Sequence, residues 1–342
     1  MKVAFAARNM PPKVIGGLER FSDDVLAGLR RDFEVTEVAN RRGRRWTAPY
    51  LATAKPRLVG AIRAGAQVVD ASDASLAPAL AGLKAPTQVR VHGLDLLHPH
   101  PIYQKVVRRY LPKVDVIVAN SEATRGLLAD FGITEERTRV VNPAADAPAG
   151  HRPDPQPGRI LFLGRLVERK GVLPLVERVW PHLADHPEVY LDIVGDGPLR
   201  EEVEEAVDLA PSNDRITLHG ALPQGPLEQL FARADCFVMP NRATPGDWEG
   251  FGIVAAEAAA RGVPVVAHAV DGMDDAIIHG ATGLKVPGPD DRALAAAILK
   301  VVDRRELGDR AAIAAEAASR WSAARLHRDY AALTRETAAL AL

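Results

Sequence analysis

Cysteine is almost absent from this chain of 342 residues: Cys236 stands alone. A single thiol cannot form an internal disulfide or a cysteine-rich zinc site, and a reducing compartment is expected. Long apolar runs are missing as well. None reaches the roughly 18 residues of a membrane span. The opening stretch MKVAFAARNMPPK has neither an apolar leader core nor a small-residue cleavage site, and it reads as a first strand. A cytoplasmic location is expected. No G-x-x-x-x-G-K-[ST] occurs, which excludes a P-loop. VGDGPLREE, around Gly195 and Gly197, lacks the third glycine of G-x-G-x-x-G, so no nicotinamide cofactor is expected. There are no short tandem repeats and no low-complexity tail.

What is present is an ordinary soluble composition, 47% hydrophobic and 25% charged, in a chain long enough for two domains. The net charge of −1 hides an asymmetry. Residues 1–150 hold 22 Lys and Arg against 15 Asp and Glu, a balance of +7, and the remainder is at −8. A basic half can attract an anionic ligand or lipid surface; opposite halves can also simply attract each other.

The pattern divides near NPAADAPAGHRPDPQPGR, residues 142–159, which is rich in Pro, Ala and Gly and has no periodicity. Six short apolar runs precede it (KVAFAA, FEVTEVA, AQVVDAS, TQVRVHG, DVIVANS, TRVVNP) and six follow (RILFLGR, VYLDIVG, RITLHG, CFVMP, VPVVAHAV, GLKVP). Most are continuous, not alternating, as in strands buried on both faces of a parallel sheet. Helical patterns such as LERFSDDVLAGLRR lie between them, so doubly wound α/β domains are predicted. The expected division is residues 1–148, 158–321, and a C-terminal helix at 322–342 that must pack on what is already built. Two such domains would pool their strand-end loops in one cleft.

Several strand ends carry candidate chemistry. Gly16 and Gly17 follow the first strand at the mouth of a helix, where backbone can approach an anion; a plain turn would look the same. FLGRLVERKG sets Arg165 and Lys170 just past a strand, able to converge on a diphosphate or simply to be solvated. His92 ends the strand in VRVHG. WEGFGIVAAEAAARG places Glu249 before a Gly-Phe-Gly turn and Glu257 on the small-residue helix after it. Carboxylates accept hydrogen bonds from sugar hydroxyls, and the helix N-terminus favours an anion.

These segments, in this order, resemble the retaining glycosyltransferases of family four, which have the GT-B fold. The matching stretches are GGLERF, VHG, VANSEATR, FLGRLVERKG, LDIVGDGPLREEVE, ITLHGALPQGPLEQLFARADCFVMP, EGFGIVAAEAAARGVPVVA and GATGLKVPGPD. The resemblance implies a nucleotide-diphosphate sugar, UDP- or GDP-linked, held mainly by the C-terminal domain, with the acceptor read by the N-terminal one. It implies Arg165 and Lys170 on the diphosphate, with Gly16 and Gly17 approaching it. It implies His92 and Glu249 at the donor sugar, the amides of Phe251, Gly252 and Ile253 on sugar hydroxyls, Glu257 on the ribose, and Ala221 and Leu222 at the base. Family members are thought to react on the face where the phosphate leaves, with a phosphate oxygen taking the acceptor proton. No Asp-x-Asp motif accompanies the cations, and neither a metal nor another cofactor is expected. A sugar phosphorylase or nucleotide-sugar synthase on the same scaffold, and a non-catalytic nucleotide-sugar sensor, are the alternatives.

The chain departs from the family pattern in two places. NPAAD stands where Asn-Gly-Val-Asp is usual, and in VDGMDDA Asp271 replaces a glycine and Asp275 a glutamate. Two basic clusters mark the first half: RRGRRW at 41–46, and Lys105, Arg108, Arg109 and Lys113 in QKVVRRYLPK. They suit a phosphorylated or lipid-linked acceptor or an anionic membrane face, or are a solvated surface. No nucleic-acid partner is expected. SDDV at residues 22–25 reads as a solvated helix face.

Overall fold

The computed structural model describes residues 1–11, 16–303 and 307–341. Pro12 and Lys13 of the opening stretch, and Val14 and Ile15 before the glycine pair, lie outside the described residues. The chain forms two compact units: residues 1–144 with 322–342, and residues 145–321.

Unit 1 holds β1 (Lys2–Ala7), β2 (Glu34–Ala39), β3 (Val68–Ala71), β4 (Thr87–Val91), β5 (Val116–Ala119) and β6 (Thr138–Val140). They form one parallel sheet in the order β2-β1-β3-β4-β5-β6. Strands β3, β4 and β5 are buried along their whole length: β5 is apolar throughout, whereas β3 and β4 carry the buried polar residues Asp70, Gln88 and Arg90. The edge strand β2 is only partly buried. Three helices matter below: α1 (Gly17–Asp32), α2 (Thr47–Arg63) and α3 (Pro101–Tyr110).

Unit 2 holds β7 (Arg159–Leu163), β8 (Tyr190–Val194), β9 (Ile216–Gly220), β10 (Cys236–Met239), β11 (Val265–His268) and β12 (Gly283–Val286), ordered β12-β11-β10-β7-β8-β9 and again parallel. Helix α4 (Ile253–Ala260) buries Ala255, Ala258 and Ala259 in a cluster with Ile313, Ala317 and Trp321 of α5 (Arg310–Trp321). Small side chains let these two helices approach closely.

The C-terminal segment forms one helix, starting just after Trp321. Helix α5 ends at Trp321, and Ser322 takes an extended conformation as N-cap, its Oγ accepting the Arg325 N–H at 3.4 Å. Helix α6 (Ala323–Ala339) then packs on α1: Leu326, Tyr330 and Leu333 join Phe21, Val25, Leu26 and Leu29 in one core. Each fully buried leucine there contributes about 1.5–3 kcal/mol. A buried polar network fixes the register. Arg90 Nη1 donates to Asp70 (2.7 Å) and to the Tyr330 hydroxyl, which donates in turn to Asp70 at 2.5 Å. Gln88 Nε2 donates to Asp70 at 3.0 Å and to Thr334 at 3.2 Å. SDDV, read as solvated, is so only at Asp23: Ser22 and Val25 belong to the buried face of α1 and Asp24 is half-buried.

Both sheets reverse their winding at one point, between β1 and β3 in unit 1 and between β7 and β10 in unit 2. In open parallel sheets the crevice outside the carboxyl ends of the strands at such a point is where ligands bind.

Candidate active site

At the switch point of unit 2, the loop after β7 leads into a single turn at Glu168–Lys170, and the loop after β10 begins Pro240-Asn241. Gly171 closes the turn with φ +66°, and a Cβ there would lie 1.9 Å from the Pro240 carbonyl oxygen. Only glycine lets the two loops touch in this way. The Arg242 N–H also donates to the Arg169 carbonyl at 2.8 Å. This contact carries Arg169 and Lys170 to the chain that ends in Glu249.

Glu249 receives three donors on one carboxylate oxygen: Lys170 Nζ, Arg169 Nη1, and Asn241 Nδ2 at 3.0 Å. Arg169 is held on its other side by Asp247, 3.0 Å from Nε. The Glu249 side chain is 13% exposed and that of Lys170 is 9% exposed, so these charges meet in a poorly hydrated place. Burial alone would raise the Glu249 pKa. Lys170 and Arg169 outweigh it and hold the carboxyl down to about 2, so it is ionised at neutral pH. Beside it, Asn241 Oδ1 and Trp248 Nε1 are buried without a hydrogen-bond partner among the described residues. Buried polar atoms are seldom left so, and orphans at a strand-end crevice are donors and acceptors available to a ligand.

The Glu249 backbone is fixed as well. Its N–H donates to Asp271 Oδ2 at 3.2 Å and its carbonyl accepts from the Gly272 N–H at 2.8 Å. Asp271 sits at φ +51°, a left-handed backbone that aspartate tolerates better than most residues other than glycine. Burial raises the Asp271 pKa, and the nearby Glu249 and Asp247 charges act in the same direction. Gly252, at φ +80°, caps α4, and a Cβ there would meet Met273 Sδ at 2.3 Å.

Of the residues singled out from sequence, the structure brings Lys170 and Glu249 together. Arg165, in the same loop, is exposed, and its side chain has no hydrogen bond or ion pair among the described residues. The side chain of Phe251 belongs to the core, edge-on to Trp321 at 6.3 Å, so only its backbone faces remain for a ligand. Ile253 and Glu257 are half-buried on α4; Ala221, exposed, and Leu222 follow β9 at the sheet edge. Arg169, Asn241 and Trp248 were missed. The adjacent cation pair Arg169-Lys170 beside a conspicuous Glu249 was the available signal for the first; nothing in the sequence marked the other two.

In unit 1, His92 follows β4, and its Nε2 lies 2.8 Å from the Ser72 carbonyl. A carbonyl only accepts, so Nε2 carries the proton. Burial holds the ring below its ordinary pKa, against the pull of Asp95, and His92 is neutral at pH 7. Its N–H donates to Asp95 at 2.8 Å, and its ring meets Phe21 edge-on at 5.8 Å. At the switch point Arg8 pairs with the buried Asp73 at 3.3 Å. Burial would raise the Asp73 pKa, but Arg8 and the hydroxyls of Ser75 and Ser72 hold it below the usual range. Gly16 is the N-cap of α1, and a Cβ on Gly17 would meet nothing within 4 Å among the described residues. Packing does not demand that second glycine. No group of His, Cys, Asp and Glu among the described residues is arranged to hold a metal ion. No described helix is long and apolar enough to cross a membrane.

Two parallel sheets with switch-point crevices, one of them lined by an Arg-Lys-Glu cluster, define a tandem doubly wound α/β protein. A sequence profile described as Glycosyltransferase Family 4 matches residues 15–147, and one described as Glycosyl transferases group 1 matches residues 157–304. The chain belongs to the family-four glycosyltransferases, with two Rossmann-like domains of the GT-B type. It is 32% identical over 243 residues to a GDP-mannose-dependent alpha-(1-6)-phosphatidylinositol monomannoside mannosyltransferase of Mycobacterium tuberculosis, covering 65% of this chain and 60% of that one. It is 33% identical over 223 residues to an amylovoran biosynthesis glycosyltransferase of Erwinia amylovora, covering 61% and 53%. The chain thus spans little more than half the length of these curated relatives. Among solved structures it is similar to HepE of Anabaena in complex with UDP, with a TM-score of 0.74, 19% identity, and coverage of 98% of this chain and 100% of that one.

Proposed function

We propose that the chain transfers a sugar from a nucleotide-diphosphate donor to an acceptor hydroxyl, with retention of configuration. The observation that carries this reading is the cluster of Lys170, Arg169 and Glu249 at the switch point of unit 2. Two cations behind an ionised carboxylate are arranged to meet a diphosphate at one end and sugar hydroxyls at the other. Lys170 and Arg169, with the unpartnered Arg165 reaching in, neutralise charge on the leaving diphosphate, the role that a metal ion plays elsewhere. Glu249 and the orphaned Asn241 and Trp248 atoms hold the donor sugar. The amides of Phe251, Gly252 and Ile253 add donors at the N-terminus of α4. Glu257 takes the ribose, and Ala221 and Leu222 border the base. The base is uracil or guanine: the HepE structure contains UDP, and the mycobacterial relative is named for GDP-mannose.

The Glu249 environment supports the proposed retaining course by disfavouring a covalent intermediate on that carboxylate. A carboxylate already bound by two cations is a poor nucleophile, which favours front-side attack assisted by a phosphate oxygen. In unit 1, His92, neutral and fixed by Ser72, and the Gly16-Gly17 turn are proposed ligand-binding features. The acceptor is proposed to carry a phosphate or a lipid, as the name of the mycobacterial relative suggests for that enzyme, with peripheral contact to an anionic membrane through the basic unit 1. The test is transfer from UDP- and GDP-sugars to phosphatidylinositol and related acceptors, with the product anomer read by NMR and Lys170→Ala as control. Retained configuration and loss of turnover in the variant are expected; full turnover by Lys170→Ala overturns the assignment.

A further inference from the structure

We propose that a pocket at the carboxyl end of β2, in unit 1, is a binding site for a phosphate ester. The pocket has a volume of about 490 Å³ and is walled by Arg41, Arg42, Trp46, Tyr50, Thr53 and Arg57 among others, with no carboxylate in its lining. That size falls in the range of small-molecule sites. Because all strands of the sheet are parallel, it opens on the same sheet edge as His92.

The three arginines are not equivalent. Arg41 is paired with Glu37, with Nε at 2.6 Å and Nη2 at 3.2 Å from a carboxylate that Arg30 also binds at 2.7 Å. Arg42 and Arg57 have no carboxylate partner among the described residues. Each guanidinium instead lies over an aromatic ring: Arg42 over Trp46 at 5.1 Å, and Arg57 over Tyr50 at 5.7 Å. Stacking holds the guanidinium plane and leaves its edge N–H donors free, the fork that grips phosphate oxygens.

The frame behind them is built in advance. Tyr50 is buried, and its hydroxyl donates to the Val38 carbonyl at 2.6 Å. Asn40, 4% exposed, donates to the carbonyls of Arg8 at 2.9 Å and Gly43 at 3.1 Å, and its Oδ1 accepts the Arg42 N–H at 3.0 Å. A loop that was only a solvated basic surface would not need such an anchor. Two uncompensated guanidiniums match one phosphate group, and Trp46, with 38% of its surface exposed, offers an apolar wall to the group esterified to it. Assigning this phosphate to the sugar acceptor rests on the transferase reading above; the anion site itself does not.

The test titrates the full chain with glycerol 3-phosphate by calorimetry, and with vesicles of phosphatidylcholine containing or lacking phosphatidylinositol by sedimentation. Four proteins are compared: wild type, R42A/R57A, T53D and K170A. Thr53 is exposed on α2, so T53D adds a repelling charge without touching the core. Glycerol 3-phosphate is expected to bind wild type and K170A alike and to bind R42A/R57A and T53D about tenfold or more weakly. Vesicle binding lost in the same two variants identifies the phosphate as a lipid headgroup; soluble binding with no vesicle binding identifies a soluble ester. No binding of either probe to wild type, or binding by R42A/R57A and T53D equal to that of wild type, overturns the site. Loss in K170A alone sends the phosphate to the donor cluster, which overturns this pocket and leaves the transferase reading standing. Pocket-dependent phosphate binding in a chain that binds no nucleotide sugar would do the reverse.

Discussion

Replacing Glu249 by glutamine removes a charge and almost no volume, and the structure sets the size of the effect. Holding that carboxyl at about 2 instead of its ordinary 4.5 corresponds to about 3 kcal/mol in favour of the ionised form, at about 1.4 kcal/mol per pH unit. Glutamine mimics the protonated acid, so Glu249→Gln is expected to cost about 3 kcal/mol at pH 7. Lys170 is then left 9% exposed without its carboxylate, whereas Arg169 keeps Asp247. For a domain the size of unit 2 the loss lowers Tm by about 6–12 °C. The sign with pH follows from the depressed value. The contribution of Glu249 is complete above 4.5 and fades as the pH falls toward 2, so the wild-type and variant melting curves converge in acid. A nucleoside diphosphate restores the missing anion, so saturating UDP or GDP is expected to raise the Tm of the variant more than that of wild type. The assay is differential scanning calorimetry from pH 8 to 3, with and without nucleotide. Equal melting temperatures at pH 7, or a difference that does not shrink in acid, would refute the electrostatic argument.

Other outcomes follow from the same structure. Gly171→Ala places a Cβ against the Pro240 carbonyl at a left-handed position, so it should lower both the Tm of unit 2 and nucleotide affinity, measured by thermal shift and calorimetry. Arg90→Met leaves Asp70 charged and buried, at a cost of about 3–5 kcal/mol in denaturant unfolding, while Tyr330→Phe costs about 1–2 kcal/mol. Equal effects from the two would argue against the network as drawn. Burial holds His92 below 6.5, against Asp95 and Asp73 and together with Arg90, so the unfolded chain takes up that proton first. Wild type should therefore lose stability as the pH falls below 6.5, and His92→Gln should lose less over that window.

The sheets were legible because both faces of most strands are covered. A strand such as VIVA at residues 116–119 must be apolar throughout, and that leaves a mark in the sequence. The winding order was not legible, since no local pattern tells β10 to pair with β7 in preference to β9. The site was half legible. Glu249 and Lys170 stood out by motif, but their direct pairing depends on the Gly171–Pro240 contact between distant loops. Arg169 was hidden by its neighbour: Lys170 carried the family pattern, while the geometry gives both the same carboxylate oxygen. The basic cluster at 41–46 shows the same limit. Composition marked four charges and an aromatic, but only the structure shows that Glu37 pairs with Arg41 and leaves Arg42 without a carboxylate.

The central claim is that the Lys170–Glu249 cluster holds the diphosphate of a nucleotide sugar. It is tested most directly by thermal-shift titration of UDP-, GDP-, ADP- and dTDP-sugars against wild type and Lys170→Ala. A ligand that binds the native state raises Tm by mass action. The account predicts that a UDP- or GDP-sugar stabilises wild type, and that the response needs about tenfold or more ligand in the variant. A chain that responds to none of the four, or a variant that responds as wild type does, would contradict it.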